Sequence, residues 1–346
     1  MTDDLGINYA LVMPEIVLAT GLCVVLLLDL FVRQSARDLT YVVALLVLLV
    51  TAWVAAPIGM DGREVAFSGS FVVDPMTRVL KLFSVLVTGV VFLYSRKYLR
   101  ERDLYFGEFF MLSLFALLGV FVLISANSLL TAFLGLELMS LSLYAMVAFD
   151  RESPRSAEAA MKYFVLGAIA SGVLLYGMSI IYGVTGSLQL DGIAAALAGE
   201  GATYLAVLLG LALILVGVAF KLGAVPFHMW LPDVYEGAPT SVTLFIGTVP
   251  KLAGFAMAVR LLVEGLAPVA ADWQSMMVIL AVLSLVVGNI VAIAQTNVKR
   301  MLAYSTIGHV GFILLGFGVG TPEGFQSALF YTIVYTIMSA EIIQLI

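Results

Sequence analysis

The sequence predicts an all-α, polytopic membrane helix bundle of about eleven spans. Three observations carry this. Hydrophobic residues fill 62% of the 346 positions and charged ones only 12%, about half the roughly 25% usual in soluble domains. The mean hydropathy is +1.10. The apolar residues also fall in continuous runs long enough for a hydrocarbon core, not in the alternating ten-residue segments of a membrane β-barrel.

The runs lie at 9–31, 39–57, 74–95, 106–125, 129–149, 160–184, 203–231, 240–263, 274–295, 299–319 and 325–346. Most connections between them are short, Ser125–Ser128 being an example; the longest with polar content is Gly186–Tyr204. Lys and Arg set the orientation. One side of the predicted bundle carries Arg33, Arg37, Arg96, Lys97, Arg100, Arg102, Arg151, Arg155, Lys162, Lys299 and Arg300, eleven of the seventeen basic residues. The other side carries Arg63, with Arg260 near a span end, while Arg78 and Lys81 open the third span. This bias places the N-terminus outside and the loops after odd-numbered spans in the cytoplasm. Trp53, Tyr98, Tyr105 and Trp273 read as interface anchors.

The same counts exclude several function classes. A single cysteine, Cys23, cannot form an internal disulfide or hold an iron–sulfur cluster. Two histidines, His228 and His309, are too few to point to a haem or a multi-metal centre, and a net charge of −6 gives no nucleic-acid surface. The acidic start, Met1 to Asn8, lacks the basic segment and cleavage site of a signal peptide, so the first span is expected to be retained. Gly316-Phe-Gly318-Val-Gly320 follows no strand and closes a predicted membrane helix, so it is no dinucleotide fingerprint.

Five ionisable residues fall deep in the runs: Glu137 in the fifth, Lys221 and His228 in the seventh, Lys251 in the eighth and His309 in the tenth. A charge at the bilayer centre costs about 2.5–3.5 kcal/mol on insertion scales, and such residues default to function. The plainer reading is a structural ion pair, Glu137 with one lysine, and a core histidine bonded to a carbonyl. One glutamate cannot neutralise two lysines, however, and burial penalises an unpaired ammonium, which is what a proton relay exploits. In the seventh run Pro226 lacks an N–H and its ring opposes the carbonyl of Leu222, beside Lys221. A helix broken there is typical of ion-transport sites. Lys221 and His228, seven apart, share a face if that helix continues. Lys251 follows Pro250; the plain reading, a lysine snorkelling to an interface, is weakened by the apolar residues on both sides. Glu15 and Asp29 lie near the ends of the first span, where both are expected to reach an interface, and neither is given a role.

These residues sit in motifs that resemble one family. They are Ser125-Ala-Asn-Ser-Leu-Leu-Thr-Ala-Phe-Leu-Gly-Leu-Glu137-Leu, Phe220-Lys221 through Pro226-Phe-His228-Met-Trp, Pro232-Asp-Val-Tyr-Glu-Gly-Ala-Pro239-Thr, Val249-Pro-Lys251, and Gln295-Thr-Asn-Val-Lys-Arg-Met-Leu-Ala-Tyr304-Ser. Together they resemble the antiporter-like membrane subunits of respiratory complex I, the proton-pumping NADH:quinone oxidoreductase. The likeness runs to about residue 339. It implies about fourteen helices in two inverted five-helix repeats, each with a broken helix. Here residues 1–105 would form the N-terminal helices, 106–265 the first repeat, with its broken helix near Pro226, and 274–346 the truncated start of the second. It further implies that Glu137, Lys221 and Lys251 act as a proton relay, with His228 and His309 along a hydrated axis.

The resemblance implies no cofactor in this chain, with NADH, FMN, iron–sulfur clusters and quinone in partner subunits. It implies partnership with other complex I membrane subunits, especially the neighbouring antiporter-like and small membrane subunits, and residence as a multi-pass protein of the bacterial inner membrane. Two other functions fit the same charges: a cation/proton antiporter subunit of related ancestry, and a non-pumping scaffold. The chain stops inside an apolar run at Ile346, which reads as a truncation. The end, Ser339 to Ile346, departs from the small-residue pattern of the family, and Glu341 is assigned no role. Ser241 stands where the family often has a proline.

Overall fold

The computed structural model describes residues 8–33, 36–60, 62–199 and 203–345. The acidic residues 1–7 therefore lie outside the described residues. Among these, eleven helical segments are long and apolar enough to cross a membrane. They are α1 (Met13–Phe31), α2 (Asp38–Ala55), α3 (Pro75–Glu101), α4 (Gly107–Ile124), α5 (Leu129–Val147), α6 (Pro154–Thr185), α8 (Tyr204–Leu222), the composite eighth span Thr240–Gly265, and three more, α12 (Ala270–Ile293), α13 (Val298–Val319) and α14 (Pro322–Gln344).

Each expected run holds one of these spans, but several helices outrun the apolar stretch. α3 reaches Glu101 and α6 starts at Pro154, both carried past the core by charged turns. Backbone hydrogen bonds inside a helix cost nothing extra when the chain emerges into the polar interface, so composition marks the membrane and not the helix end. Where the end is sharp, a residue enforces it. Gly320 closes α13 with φ of +68°, and Asn297 opens it by accepting from the N–H groups of Lys299 and Arg300.

The composite eighth span, made of α10 (Thr240–Ile246), α11 (Val249–Ala258) and a π-helical stretch Val259–Gly265, is the most enclosed of the eleven. By contrast α1, α2 and α12 leave most of their surface open, as helices facing lipid or other subunits do. α4 and α5 pack especially closely, because Gly119 and Gly135 let the two backbones touch.

Two short features escaped the apolar pattern. Strands β1 (Glu64–Ala66) and β2 (Phe71–Val73) form an antiparallel hairpin between α2 and α3, with Ala66 opposite Phe71. A nine-residue helix, α7 (Leu190–Ala198), lies in the connection after α6. The hairpin, the α4–α5 turn and the approach to α7 are laced together by backbone bonds: Val72 N–H to Ser125 O at 2.9 Å, Asn127 N–H to Ser70 O at 3.1 Å and Leu190 N–H to Asn127 O at 3.0 Å.

The opposite end of the bundle gathers the basic residues. Asp38 accepts from Arg96 at 3.1 Å, from Tyr105 at 2.9 Å and from Arg100; Arg151 pairs with Glu108 at 2.6 Å; and Arg37 donates to Tyr105 O at 3.1 Å. The two ends are thus chemically distinct, one a basic face and the other a hairpin face.

Candidate functional site

The seventh span is broken, and its break defines the site. α8 ends at Leu222, and Gly223 takes the left-handed conformation with φ of +83°, which glycine adopts without steric cost. A short helix, α9 (Trp230–Gly237), resumes after residues 224–229. The helix thus ends at the glycine, three residues before Pro226, and the interruption that follows contains Pro226, near where the break was expected. Because the helix does not continue, the shared face expected for Lys221 and His228 does not form.

Freed backbone groups inside a membrane need partners, and this break supplies them. The N–H of Ala224 bonds Ala219 O at 2.8 Å, the N–H of Val225 bonds Ser284 Oγ of α12 at 2.9 Å, and Trp230 Nε1 bonds Phe220 O at 2.9 Å. The Trp230 ring is held in turn by Tyr163 of α6, stacked at 4.6 Å.

Lys221 lies in the last turn of α8 and points to α5. Its Nζ donates to Ser140 Oγ at 2.7 Å, and Ser140 donates onward to Leu136 O at 2.5 Å. The Tyr144 ring lies 5.8 Å from the ammonium. Glu137 is on the same helix, three residues before Ser140, half-buried, with Oε1 lacking a hydrogen bond. It forms no ion pair with either lysine among the described residues. Ser140, not Glu137, is thus the group that holds the lysine.

The eighth span has its own interruption. α10 stops at Ile246, Thr248 departs from helical dihedrals, and α11 restarts with Pro250 in its first turn, where a missing N–H is harmless. Lys251 follows directly and is buried, 5.8 Å from the Tyr335 ring of α14. Tyr335 lies against His309 of α13, ring centroids 4.5 Å apart, and its hydroxyl shares a 2.6 Å hydrogen bond with Thr306. His309 Nδ1 shares a 2.8 Å bond with Tyr331. A cavity of about 30 Å³ beside this group is lined by Ser305, Thr306, His309, Tyr335 and Ser339 together with the apolar Leu302, Met338, Ile342 and Ile343. His228, half-buried before α9, has an unpartnered Nδ1 and faces Tyr304 at 6.3 Å, five residues before His309.

The five expected residues thus fall into two groups. Glu137 shares α5 with Ser140, which bonds Lys221 of α8, while Lys251 and His309 lie on either side of Tyr335, with His228 facing α13 at Tyr304. Tyr331 and Tyr335 were not anticipated. Their signal was available: two tyrosines one turn apart in the middle of a span, not at its interfacial ends.

One other reading is corrected. Glu15 does not reach an interface; it is buried and pairs with Lys81 at 2.5 Å. Arg260 lies near the end of its span, as expected. It is fully buried and bonds Asp74 Oδ2 at 2.7 Å, Glu264 Oε1 at 2.5 Å, Thr77 Oγ1 at 2.9 Å and Ile124 O at 3.2 Å. Asp29 accepts from Thr40 at 2.9 Å, and Glu341 is exposed. No group of three His, Cys, Asp or Glu side chains comes together as a metal site among the described residues.

Comparison with known proteins gives this arrangement its context. Residues 126–346 match the family described as NADH:quinone oxidoreductase/Mrp antiporter, TM. A curated relative, NADH-quinone oxidoreductase subunit N of Thioalkalivibrio sulfidiphilus, is 58% identical over 330 residues, covering 95% of this chain and 69% of the relative. Among solved structures, respiratory complex I from Thermus thermophilus with bound aureothin contains a chain that superposes with a TM-score of 0.80 at 33% identity, covering 95% of this chain and 69% of that one. A chain of the membrane-bound sulfane sulfur reductase, an archaeal respiratory membrane complex, superposes with a TM-score of 0.86 at 25% identity, covering 97% and 70%.

Proposed function

The chain belongs to the NADH:quinone oxidoreductase/Mrp antiporter transmembrane family, and we propose that it is the proton-translocating membrane-arm subunit N of a bacterial NADH:quinone oxidoreductase. It works inside a multi-subunit membrane complex, beside neighbouring antiporter-like and small membrane subunits. In that complex NADH, FMN, iron–sulfur clusters and quinone belong to partner subunits, and this chain moves protons. Residues 106–265 serve as the first five-helix repeat and 274–346 begin the second, with the N-terminus on the outer face.

One observation carries the reading: two lysines lie within apolar helices long enough to span a membrane, each beside a helix interruption and each without a carboxylate contact among the described residues. A stable scaffold gains nothing from an unpaired intramembrane ammonium, whose insertion costs about 2.5–3.5 kcal/mol. Proton carriers need that instability. In the proposed cycle Lys221 holds a proton on Ser140, under the field of Glu137. When a change in a partner subunit weakens that field, the proton leaves Lys221 and passes by way of His228 to Lys251 and His309, with Tyr335 and Tyr331 ordering the second group. Moving one charge against 100 mV costs about 2.3 kcal/mol, and two decades of proton affinity correspond to about 2.7 kcal/mol. A change of that size at one lysine drives a step.

The test is Lys221→Ala in the assembled complex, with NADH-driven proton uptake and NADH:quinone turnover compared in membrane vesicles. Both are expected to collapse while the complex stays intact. Unchanged uptake and turnover would make the lysine structural and refute the reading.

A further inference from the structure

A line of buried polar side chains runs along one face of α3. Thr77, Lys81, Ser84, Thr88 and Ser95 are all buried, and their spacing of four, three, four and seven residues puts them on one helix face. From the start of α3 to Ser95 the helix rises about 30 Å, the thickness of a hydrocarbon core. Its basic end closes at Tyr98, whose hydroxyl accepts the N–H of Thr240 at 3.2 Å. The hydroxyls of Ser84 and Thr88 donate to the carbonyls one turn back, leaving their lone pairs free, and Ser95 Oγ has no partner.

The charged group on this face is Lys81, paired with Glu15 of α1 at 2.5 Å between the rings of Phe71 and Phe121, 5.0 and 5.5 Å from the ammonium. Beyond that one contact, Lys81 Nζ and both carboxylate oxygens lack a hydrogen-bond partner. A clamp does not explain this. Apolar residues hold helices together at least as well as a buried pair, and a buried pair is tolerated only when its remaining donors and acceptors are met.

One turn from the pair, and not hydrogen-bonded to it, begins a polar chain that reaches the surface. Thr77, one turn from Lys81, donates to Asp74 Oδ1 at 2.8 Å and accepts from Arg260 Nη2 at 2.9 Å. Arg260 Nη1 spans Asp74 and Glu264, at 2.7 and 2.5 Å. Arg63 then bridges Glu264 at 3.2 Å to Asp191 at 3.1 Å, and the Asp191 side chain is 63% exposed. The guanidinium groups stay charged and hold the carboxylates, which alternate as acceptors. The charges acting on Lys81 are Glu15, Asp74 and Arg260.

We propose that the Glu15–Lys81 pair is a second proton-holding site of this subunit, separate from the Lys221 and Lys251 groups, which exchanges protons with the hairpin face through Thr77, Asp74 and Glu264. Its use in pumping rests on the proton-translocating reading above. In the loaded state the carboxylate and the ammonium face each other. On unloading, Lys81 gives one proton to the Thr77–Asp74 side and is left as the neutral amine, and reloading takes one proton back.

Lys81→Arg in the assembled complex tests this, because arginine keeps the charge and the pairing but does not release its proton. The variant is expected to assemble and to move fewer protons per NADH oxidised. An unchanged ratio in an assembled Lys81→Arg complex overturns the proposal. If the larger head prevents assembly, the double variant Glu15→Leu with Lys81→Leu replaces it. A lowered ratio there supports the site, while full assembly with an unchanged ratio shows a dispensable clamp and overturns it. Lys221→Ala, run alongside, separates the two claims: if it leaves pumping intact, the relay reading fails on its own, whatever the α3 variants do.

Discussion

Trp230 reaches back across the break in the seventh span and donates its indole N–H to the carbonyl of Phe220 at 2.9 Å. The residue beside that carbonyl is Lys221. The end of α8 is therefore capped by a side chain from the helix that follows it, and the position of the lysine depends on both halves. Trp230→Phe keeps an aromatic ring against Tyr163 and removes the donor together with part of the buried indole. Net protein hydrogen bonds are worth about 0.5–1.5 kcal/mol, so the assembled complex is expected to lose thermal stability on that scale. Proton uptake should fall further than a general destabilisation explains. Differential scanning of the complex beside uptake per NADH separates the two effects.

Ser140 is the only hydroxyl that accepts from Lys221 among the described residues. Ser140→Ala leaves the ammonium without that bond, at about 1.5–3 kcal/mol for a charged donor. Turnover and uptake are expected to fall together, with Ser140→Thr restoring most of both. Wild-type rates in Ser140→Ala would remove Ser140 from the site.

Gly135 sits where α5 meets α4. A Cβ there would stand 2.7 Å from Leu123 N and 3.0 Å from Gly119 O, both backbone atoms that cannot step aside. Overpacking of this kind costs about 1–3 kcal/mol. Since α5 also carries Glu137 and Ser140, Gly135→Ala is expected to lower both assembly yield and specific pumping activity, measured on membranes normalised for complex content.

Asp74 gives the fold a defined acid dependence. Burial raises its carboxyl, but the hydrogen bond and charge of Arg260 and the N–H and hydroxyl of Thr77 outweigh burial and hold it below the ordinary carboxylate value. A depressed value means that the stabilisation is full above the usual carboxylate range and is lost only as the pH falls through the lowered one. Asp74→Asn removes the acid-sensitive contribution while leaving Arg260 one acceptor short. The variant complex is expected to be less stable at neutral pH and to show a flatter stability profile below the usual carboxylate range. Equal slopes for both proteins would disprove the assignment.

The spans were readable because a membrane helix announces itself by length and composition, and Lys221, Lys251 and Glu137 because a charge in such a run has few reasons to be there. What the sequence concealed depended on distance partners. Glu15 and Arg260 sit near span ends, where a charge reads as interfacial; only the packing of α1, α3 and the π-helical stretch shows them enclosed. Three-residue strands are too short for an alternating pattern, so the hairpin left no trace. The break in the seventh span was visible in its composition, and Pro226 lies inside it. Proline is the conspicuous residue there, whereas the chain turns at Gly223, where the left-handed conformation is free. The interruption at Thr248 carries little signal, because Pro250 falls where a helix start accepts it.

The pins on the basic face have a mechanical consequence. Arg300, at the base of α13, bonds Asp233 at 2.7 Å and Glu236 at 3.1 Å, and Lys162 of α6 takes the same Asp233 at 2.9 Å. The outer end of α9 is clamped to two spans, while its inner end hangs on the six residues 224–229. The indole that caps the Phe220 carbonyl, beside Lys221, therefore stands on a short helix tied to α6 and α13 at once.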